Sequence, residues 1–316
     1  MSFAMMFPGQ GSQSVGMLQE LAEASDIVGA TFGEASDVLG YDVWQLACEG
    51  PAEEQGRTAK TQPLILTASV AVWRLWCARS DARPAVVAGH SLGEYSALVC
   101  AGALDFSEAV QLVATRGALM QQAVPQGSGA MAAVLGLDDD AVIAVCTDNS
   151  GDGTVEAVNF NSPGQVVIAG DRHAVERACT AAKEAGARRA QMLPVSVPAH
   201  SSLMRPAAEE FASVLAGTTL TQPQIEVLHN VGVDQVSDIR DALTRQLYHP
   251  VPWTQIVRTL AVRDIRLLLE CGPGRVLTGL ARRVDKSLQG LSLHTPEAMT
   301  SAIELVTSST QSGDHP

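Results

Sequence analysis

No apolar run in this 316-residue sequence approaches the roughly 18 residues of a membrane-spanning helix. Runs such as Ala85–Ala88 and Val166–Ala169 are only short stretches, so no transmembrane segment is expected. The start, MSFAMMFPGQGS, also lacks the basic residues and long apolar stretch of a signal peptide; it reads as a first strand entering a glycine-rich loop, and a cytoplasmic location is expected. The six cysteines (Cys48, Cys77, Cys100, Cys146, Cys179, Cys271) form no CxxC pair. A zinc knuckle and a disulfide framework are therefore disfavoured, no metal is expected, and the thiols read as reduced and mostly in the core. Positive charge is scarce: 21 Lys and Arg stand against 34 Asp and Glu, a formal net charge of −13. No broad positive field is available for nucleic acid or anionic lipid. An anionic partner would have to meet a local patch, either Lys183, Arg188 and Arg189 or Arg282, Arg283 and Lys286. The nucleotide loops are incomplete too. PGQGSQ has no GK[ST] ending and CGPGRVL no third glycine, so both read as tight strand-to-helix connections and no nucleotide cofactor is expected.

What the chain does contain is ample apolar content, 46%, arranged as strands alternating with helices, which implies an α/β class with a mainly parallel sheet. Phe3–Phe7 reads as a strand, followed by a helix from about Val15. TQPLILTASVAVWRLW from Thr61 reads as a largely buried helix, and ARPAVVAGH as a short buried strand. DFSEAVQLVATRGALMQQ opens on the capping-box pair Asp105 and Glu108. Beyond VPQGSG the order becomes strand (Ala130–Leu135), helix (Asp138–Cys146), strands (Val155–Phe160 and Gln165–Ala169), helix (His173–Ala185), strand (Arg189–Val195). This βαββαβ order is that of a small ferredoxin-like domain. Alternation then resumes with IEVLHNV, DIRDALTRQLY, RDIRLLLECGPG and VLTGLARRV. The expected division is a discontinuous large domain, 1–124 and 197–306, interrupted by a small domain, 125–196. The polar tail, 307–316, is expected to be disordered.

Within GHSLGEYSAL, Gly89 to Leu98, a serine lies between two glycines where a buried strand stops and a helical pattern begins. This is G-x-S-x-G in the setting the motif needs. A sharp strand-to-helix turn lifts the Ser91 hydroxyl out of the sheet, and the Leu92 amide stands at a helix N-terminus. That amide can stabilise an oxyanion, and Gln10, in PGQGSQ, is the candidate for the second donor. Among the seven histidines, His90 adjoins the nucleophile and should point differently, His173 begins a surface-type helix, and His315 lies in the tail. His294 sits in an undistinguished segment. His200, His229 and His249 remain as candidate bases, and His200 follows the apolar strand MLPVSV and Pro198. Arg116, flanked by Val110, Leu112, Val113, Leu119 and Met120, is either a structural or solvent-facing arginine or a clamp whose two parallel donors fit a carboxylate.

FPGQGSQ, TQPLILTASVA, GHSLGEYSALVCAGAL, RGALMQ, NFNSPGQVVIAG, VPAHSSLM, QLYHPVPW and ECGPGRVLTGL, in that order from about Phe3 to Leu305, together resemble the malonyl-CoA:acyl-carrier-protein transacylases of bacterial type II fatty-acid synthesis. The resemblance implies an α/β-hydrolase-like large domain interrupted by a ferredoxin-like one. It implies Ser91 as the acylated nucleophile, His200 as the base, the Gln10 and Leu92 amides as the oxyanion hole, and Arg116, with Gln62 nearby, as the malonyl carboxylate site. It further implies a backbone carbonyl at His249 orienting His200, and a pocket containing His90, Met120, Asn161, Val197 and Ala199. The substrates would be malonyl-CoA and acyl carrier protein, with no cofactor, in a monomer.

Two positions depart from the family's usual pattern. His249 stands where Asn, Ser or Gln is common, with little effect expected if the main chain acts there. Ala199 replaces a usual Phe or Ser beside the acyl α-carbon, which weakens exclusion of a methyl branch. The main rival is a serine esterase or thioesterase. Its third acid would have to be Asp148, Asp152 or Asp171, all in the inserted segment, which disfavours a hydrolase triad. A noncatalytic carrier-binding scaffold would not need Ser91, His200 and Arg116 together. The equivalent transacylase of polyketide assembly or malonate decarboxylation is a further alternative.

Overall fold

The computed structural model describes residues 2–311. Nine strands are present among them: β1 (Phe3–Phe7), β2 (Val86–Gly89), β3 (Gly129–Leu135), β4 (Val155–Ser162), β5 (Gln165–Asp171), β6 (Arg189–Met192), β7 (Glu226–Leu228), β8 (Leu267–Glu270) and β9 (Gln289–Ser292). The chain divides into two compact units, one of Met1–Ala114, Thr219–Leu228 and Arg258–Pro316, the other of Thr115–Thr218 and His229–Val257. No helix among the described residues is long and apolar enough to cross a membrane.

The first unit is built on a five-stranded sheet of order β7-β2-β1-β8-β9, parallel throughout. Every residue of β1, β2 and β8 is buried. That is why these strands read as continuous apolar runs: a parallel sheet covered on both faces has no solvent side to pattern. β1 and β2 are neighbours with Phe7 opposite Gly89. The PGQGSQ loop and the serine turn thus leave adjacent strands at their carboxyl ends, where open α/β sheets bind ligands. The long helix Thr58–Arg79 is buried over most of its length, with Trp76 against Phe3 at 5.7 Å between ring centroids. The helix expected from about Val15 starts later, at Gln19, because Gly16 (φ 85°) and Leu18 (φ 64°) take left-handed conformations that a helix cannot hold.

In the second unit, β4-β5-β3-β6 form a four-stranded sheet in which every pairing is antiparallel. Helices Asp139–Asn149 and Arg172–Glu184 complete the βαββαβ order. Small residues, among them Ala132, Ala174, Ala178 and Ala182, let these helices pack closely with Val142, Val166, Ile168 and Val175. β6 is shorter than expected. Leu193 N–H still reaches the Met131 carbonyl at 2.9 Å, but Pro194 has no N–H with which to continue the ladder.

The second unit is wider than the segment 125–196 anticipated for it. The reason lies in pairings across long sequence distances. Val251 N–H donates to the Val158 carbonyl at 2.9 Å and Phe160 N–H to the Val251 carbonyl at 3.0 Å, extending β4. Glu156 accepts from both the N–H (2.8 Å) and the hydroxyl (2.6 Å) of Ser202. These bonds tie 197–218 and 229–257 to the antiparallel sheet. The tail also differs from expectation, since the last helix runs from Pro296 to Gln311. Thr307 and Ser308 turn their hydroxyls back onto the carbonyls of Ile303 (2.7 Å) and Leu305 (3.2 Å), which lets polar side chains sit on an exposed helical turn. The remaining tail residues, 312–316, lie outside the described part.

Candidate active site

The sequence-predicted residues fall in both units. Gln10, Gln62, His90, Ser91 and Leu92 belong to the first; Arg116, Met120, Asn161, Val197, Ala199, His200 and His249 belong to the second.

In the first unit the turn at Ser91 is held by a short series of hydrogen bonds. His90 N–H donates to the Phe7 carbonyl at 3.0 Å, and the Gly93, Glu94 and Tyr95 amides donate to the carbonyls of His90, Ser91 and Leu92 at 2.9, 3.0 and 3.0 Å. The helix Gly93–Cys100 therefore begins almost at once after β2. Ser91 has φ +52°, a left-handed conformation that costs a non-glycine residue on the order of 1–3 kcal/mol. The glycines are required by contact. A Cβ on Gly89 would run into the Gly93 carbonyl group, and one on Gly93 into the Phe7 carbonyl. A Cβ on Gly9 would meet the His90 carbonyl oxygen. The PGQGSQ loop is thereby packed directly against the serine turn.

The backbone amides of Gln10 and Leu92 are among those here that donate no hydrogen bond within the described residues. Beyond Gln10, Gly11 N–H donates to Gln13 Oε1 at 2.8 Å, and Ser12 N–H to the Gly9 carbonyl at 3.4 Å. Leu92 is only 1% exposed, and a buried unpaired amide is uncommon. Gln10 is exposed, on the loop that touches the Ser91 turn, and two amide donors so placed can serve as an oxyanion hole. Gln62, also placed near the substrate by sequence resemblance, is buried on the helix Thr58–Arg79. The cysteines offer no rival nucleophile. All six are free; burial pushes the Cys146 thiol up to about 12 and holds Cys100 and Cys271 well above the usual range.

In the second unit His200 is buried and has φ +66°. Its N–H donates to the Leu247 carbonyl at 2.9 Å, and its Nδ1 lies 2.7 Å from the Gln246 carbonyl oxygen. A carbonyl can only accept, so Nδ1 carries the proton and Nε2 is the ring nitrogen with the lone pair. Gln246 ends the helix Ile239–Gln246, and the last carbonyls of a helix have no partner within it. The orienting carbonyl is therefore that of Gln246, and the assignment to His249 is corrected: His249 lies three residues beyond the helix, half-buried, with its ring against Tyr248 at 4.8 Å. Burial, reinforced by Arg245 and Arg205, holds the His249 imidazole below its usual pKa.

Arg116 is 1% exposed on the helix Phe106–Gln122, and its Nη2 donates to Gln246 Oε1 at 2.9 Å. The structure thus joins two predicted residues through a third that sequence reasoning missed. A signal existed, because the end of DIRDALTRQ is where unpaired carbonyls must appear. Met120, Asn161 and Val197 are buried, and half-buried Ala199 packs on the cluster of Met131, Val158, Val167 and Ala169.

A strained serine at the end of a parallel strand, with unpaired amides beside it and a histidine oriented by main-chain carbonyls elsewhere in the chain, defines a class of serine acyl-transfer proteins. Residues 4–259 match the family described as the acyl transferase domain. Within that class the chain belongs to the malonyl-CoA–acyl carrier protein transacylase family. It is 54% identical to the Malonyl CoA-acyl carrier protein transacylase of Escherichia coli strain K12, over 96% of this chain and 99% of the relative. It is also similar to an acyl carrier protein S-malonyltransferase from Vibrio cholerae, with a TM-score of 0.93 and 54% identity over 96% of this chain and 100% of that one. A malonyl-transacylase solved in complex with its type II PKS acyl-carrier protein gives a TM-score of 0.95 and 52% identity over 96% and 100% of the two chains.

Proposed function

We propose that this protein transfers the malonyl group from malonyl-CoA to the phosphopantetheine thiol of acyl carrier protein, supplying fatty-acid chain elongation from the cytoplasm. The observation that carries the chemistry is the pair of unpaired amides, Gln10 and Leu92, beside the left-handed Ser91. In this reading the first unit is an α/β-hydrolase-like domain, and the βαββαβ sheet of the second is ferredoxin-like.

Ser91 Oγ attacks the malonyl thioester while His200 Nε2 takes its proton, and the two amides hold the oxyanion. The CoA sulfur leaves with that proton. The carrier's thiol then gives its proton to His200 and attacks the malonyl-serine ester, and Ser91 departs with the proton restored. One thioester replaces another, so the exchange balances without nucleotide, metal or redox cofactor. Intact-mass measurement after incubation with malonyl-CoA tests the reading: a malonyl adduct forms and disappears when holo carrier protein is added. Hydrolysis of malonyl-CoA without an adduct that the carrier can discharge would indicate an esterase instead.

Arg116 receives the distal carboxylate. An acetyl group would leave the guanidinium without that partner, a difference of roughly 1–3 kcal/mol. Arg116→Ala is expected to lower malonyl transfer and to narrow the malonyl-to-acetyl ratio by about tenfold, read from kcat/KM with both acyl-CoAs. Unchanged selectivity would sink the clamp role.

An acidic carrier must approach a chain of net charge −13. Lys183, Arg188 and Arg189 are exposed on the second unit, and Arg282, Arg283 and Lys286 on the first; one of these groups supplies the docking patch for a monomer. Charge reversal at the docking patch is expected to raise KM for the carrier several-fold and to leave KM for malonyl-CoA unchanged. Equal effects on both substrates, or none from either group, would refute the assignment.

A further inference from the structure

Gln246 bonds through both its main chain and its side chain. Its main-chain oxygen accepts from His200, and its side-chain oxygen accepts from Arg116 at 2.9 Å, with the residue fully buried. We infer that the side-chain amide of Gln246 is a positioning and specificity-determining element, fixing the Arg116 guanidinium through a neutral acceptor that adds no negative charge beside the carboxylate of the acyl group. This rests on the reading of Arg116 given above.

The argument turns on the difference between an amide and a carboxylate. Both offer an oxygen of the same reach. A buried arginine must be held if its planar fork is to meet a carboxylate bidentately, because its long side chain otherwise loses rotamer freedom on binding. A carboxylate would hold it more strongly, but would put a negative charge 2.9 Å from the guanidinium, where the substrate's own negative charge would then be repelled. The amide orders the arginine without adding that charge. Gln246 sits at the end of its helix, so the same short segment orients both the base and the arginine.

Gln246→Glu tests this directly, since a carboxyl beside a guanidinium ionises and its backbone carbonyl remains available to His200. The expected result is a rise of at least tenfold in KM for malonyl-CoA that exceeds any change in acetyl transfer. The malonyl-to-acetyl ratio would collapse. Gln246→Met, similar in length and unable to accept, is the second variant. It keeps the arginine's charge while loosening its position, so malonyl KM is expected to rise only two- to fourfold. Thermal unfolding checks that each variant folds; if only Gln246→Met does, its malonyl KM decides. An unchanged ratio in Gln246→Glu, an equal fall in both variants, or an unchanged KM in a folded Gln246→Met overturns the proposal. If Arg116→Ala narrows selectivity while Gln246→Glu does not, only the role of Gln246 fails. If Arg116→Ala leaves selectivity intact, the carboxylate reading fails with it.

Discussion

Ser91→Ala is expected to abolish the malonyl adduct on the intact chain and to lower transfer to carrier protein by at least 10³-fold, on the order of the losses that follow removal of an enzyme nucleophile. The size follows from the proposed two-step route. With no hydroxyl there is no acyl-enzyme, and what remains is direct attack by the carrier's thiol within a site that still has the Gln10 and Leu92 amides. Folding should be unharmed: the strain at Ser91, φ +52°, is one that alanine also bears, and the contacts that fix the turn are made by Gly9, Gly89 and Gly93 and by main-chain bonds. Circular dichroism and the unfolding temperature should therefore match the parent. A folded Ser91→Ala that still becomes malonylated would remove Ser91 as the nucleophile.

The elbow could be read from the sequence because all of its determinants are local. A buried strand, two glycines four residues apart and a buried helix occupy fifteen consecutive positions, and each signal acts on its neighbours. The βαββαβ order was legible for the same reason, through short apolar strand runs such as AMAAVL and QVVIAG alternating with longer helical segments. The extent of the second unit was not. The bonds between Val251 and Val158 and between Ser202 and Glu156 join residues 93 and 46 positions apart, and nothing in either segment alone announces its partner. The tail misled in another way: TSST has no apolar anchor, yet hydroxyls that bond back to the preceding turn suffice to continue an existing helix to Gln311. Gln246 was missed because a glutamine at the polar end of DIRDALTRQ reads as surface. Its burial comes from long-range contacts, those with Arg116 and His200.

How the main chain orients His200 becomes intelligible from the same helix end. In the proposed mechanism the imidazolium formed when His200 takes the serine's proton would be held by the Gln246 carbonyl, 2.7 Å from Nδ1, at a helix C-terminus. A neutral acceptor of this kind holds an imidazolium less firmly than a buried carboxylate would. It suits a reaction in which the proton must pass back and forth between serine and two thiols without settling on the histidine. His200→Ala is accordingly expected to slow both half-reactions, acylation by malonyl-CoA and discharge to the carrier, by on the order of 10²–10⁴-fold each, as measured by single-turnover intact-mass kinetics. The symmetry is the diagnostic. If His200 served only to shape the pocket, KM would rise and the two steps would be affected unequally, while malonylation would keep its pH dependence. If it is the shared base, the residual acylation rate in His200→Ala should increase with hydroxide through pH 7–9, because hydroxide then takes the proton from Ser91. A residual rate flat over that range, or a loss confined to one half-reaction, would mean that His200 is not the base.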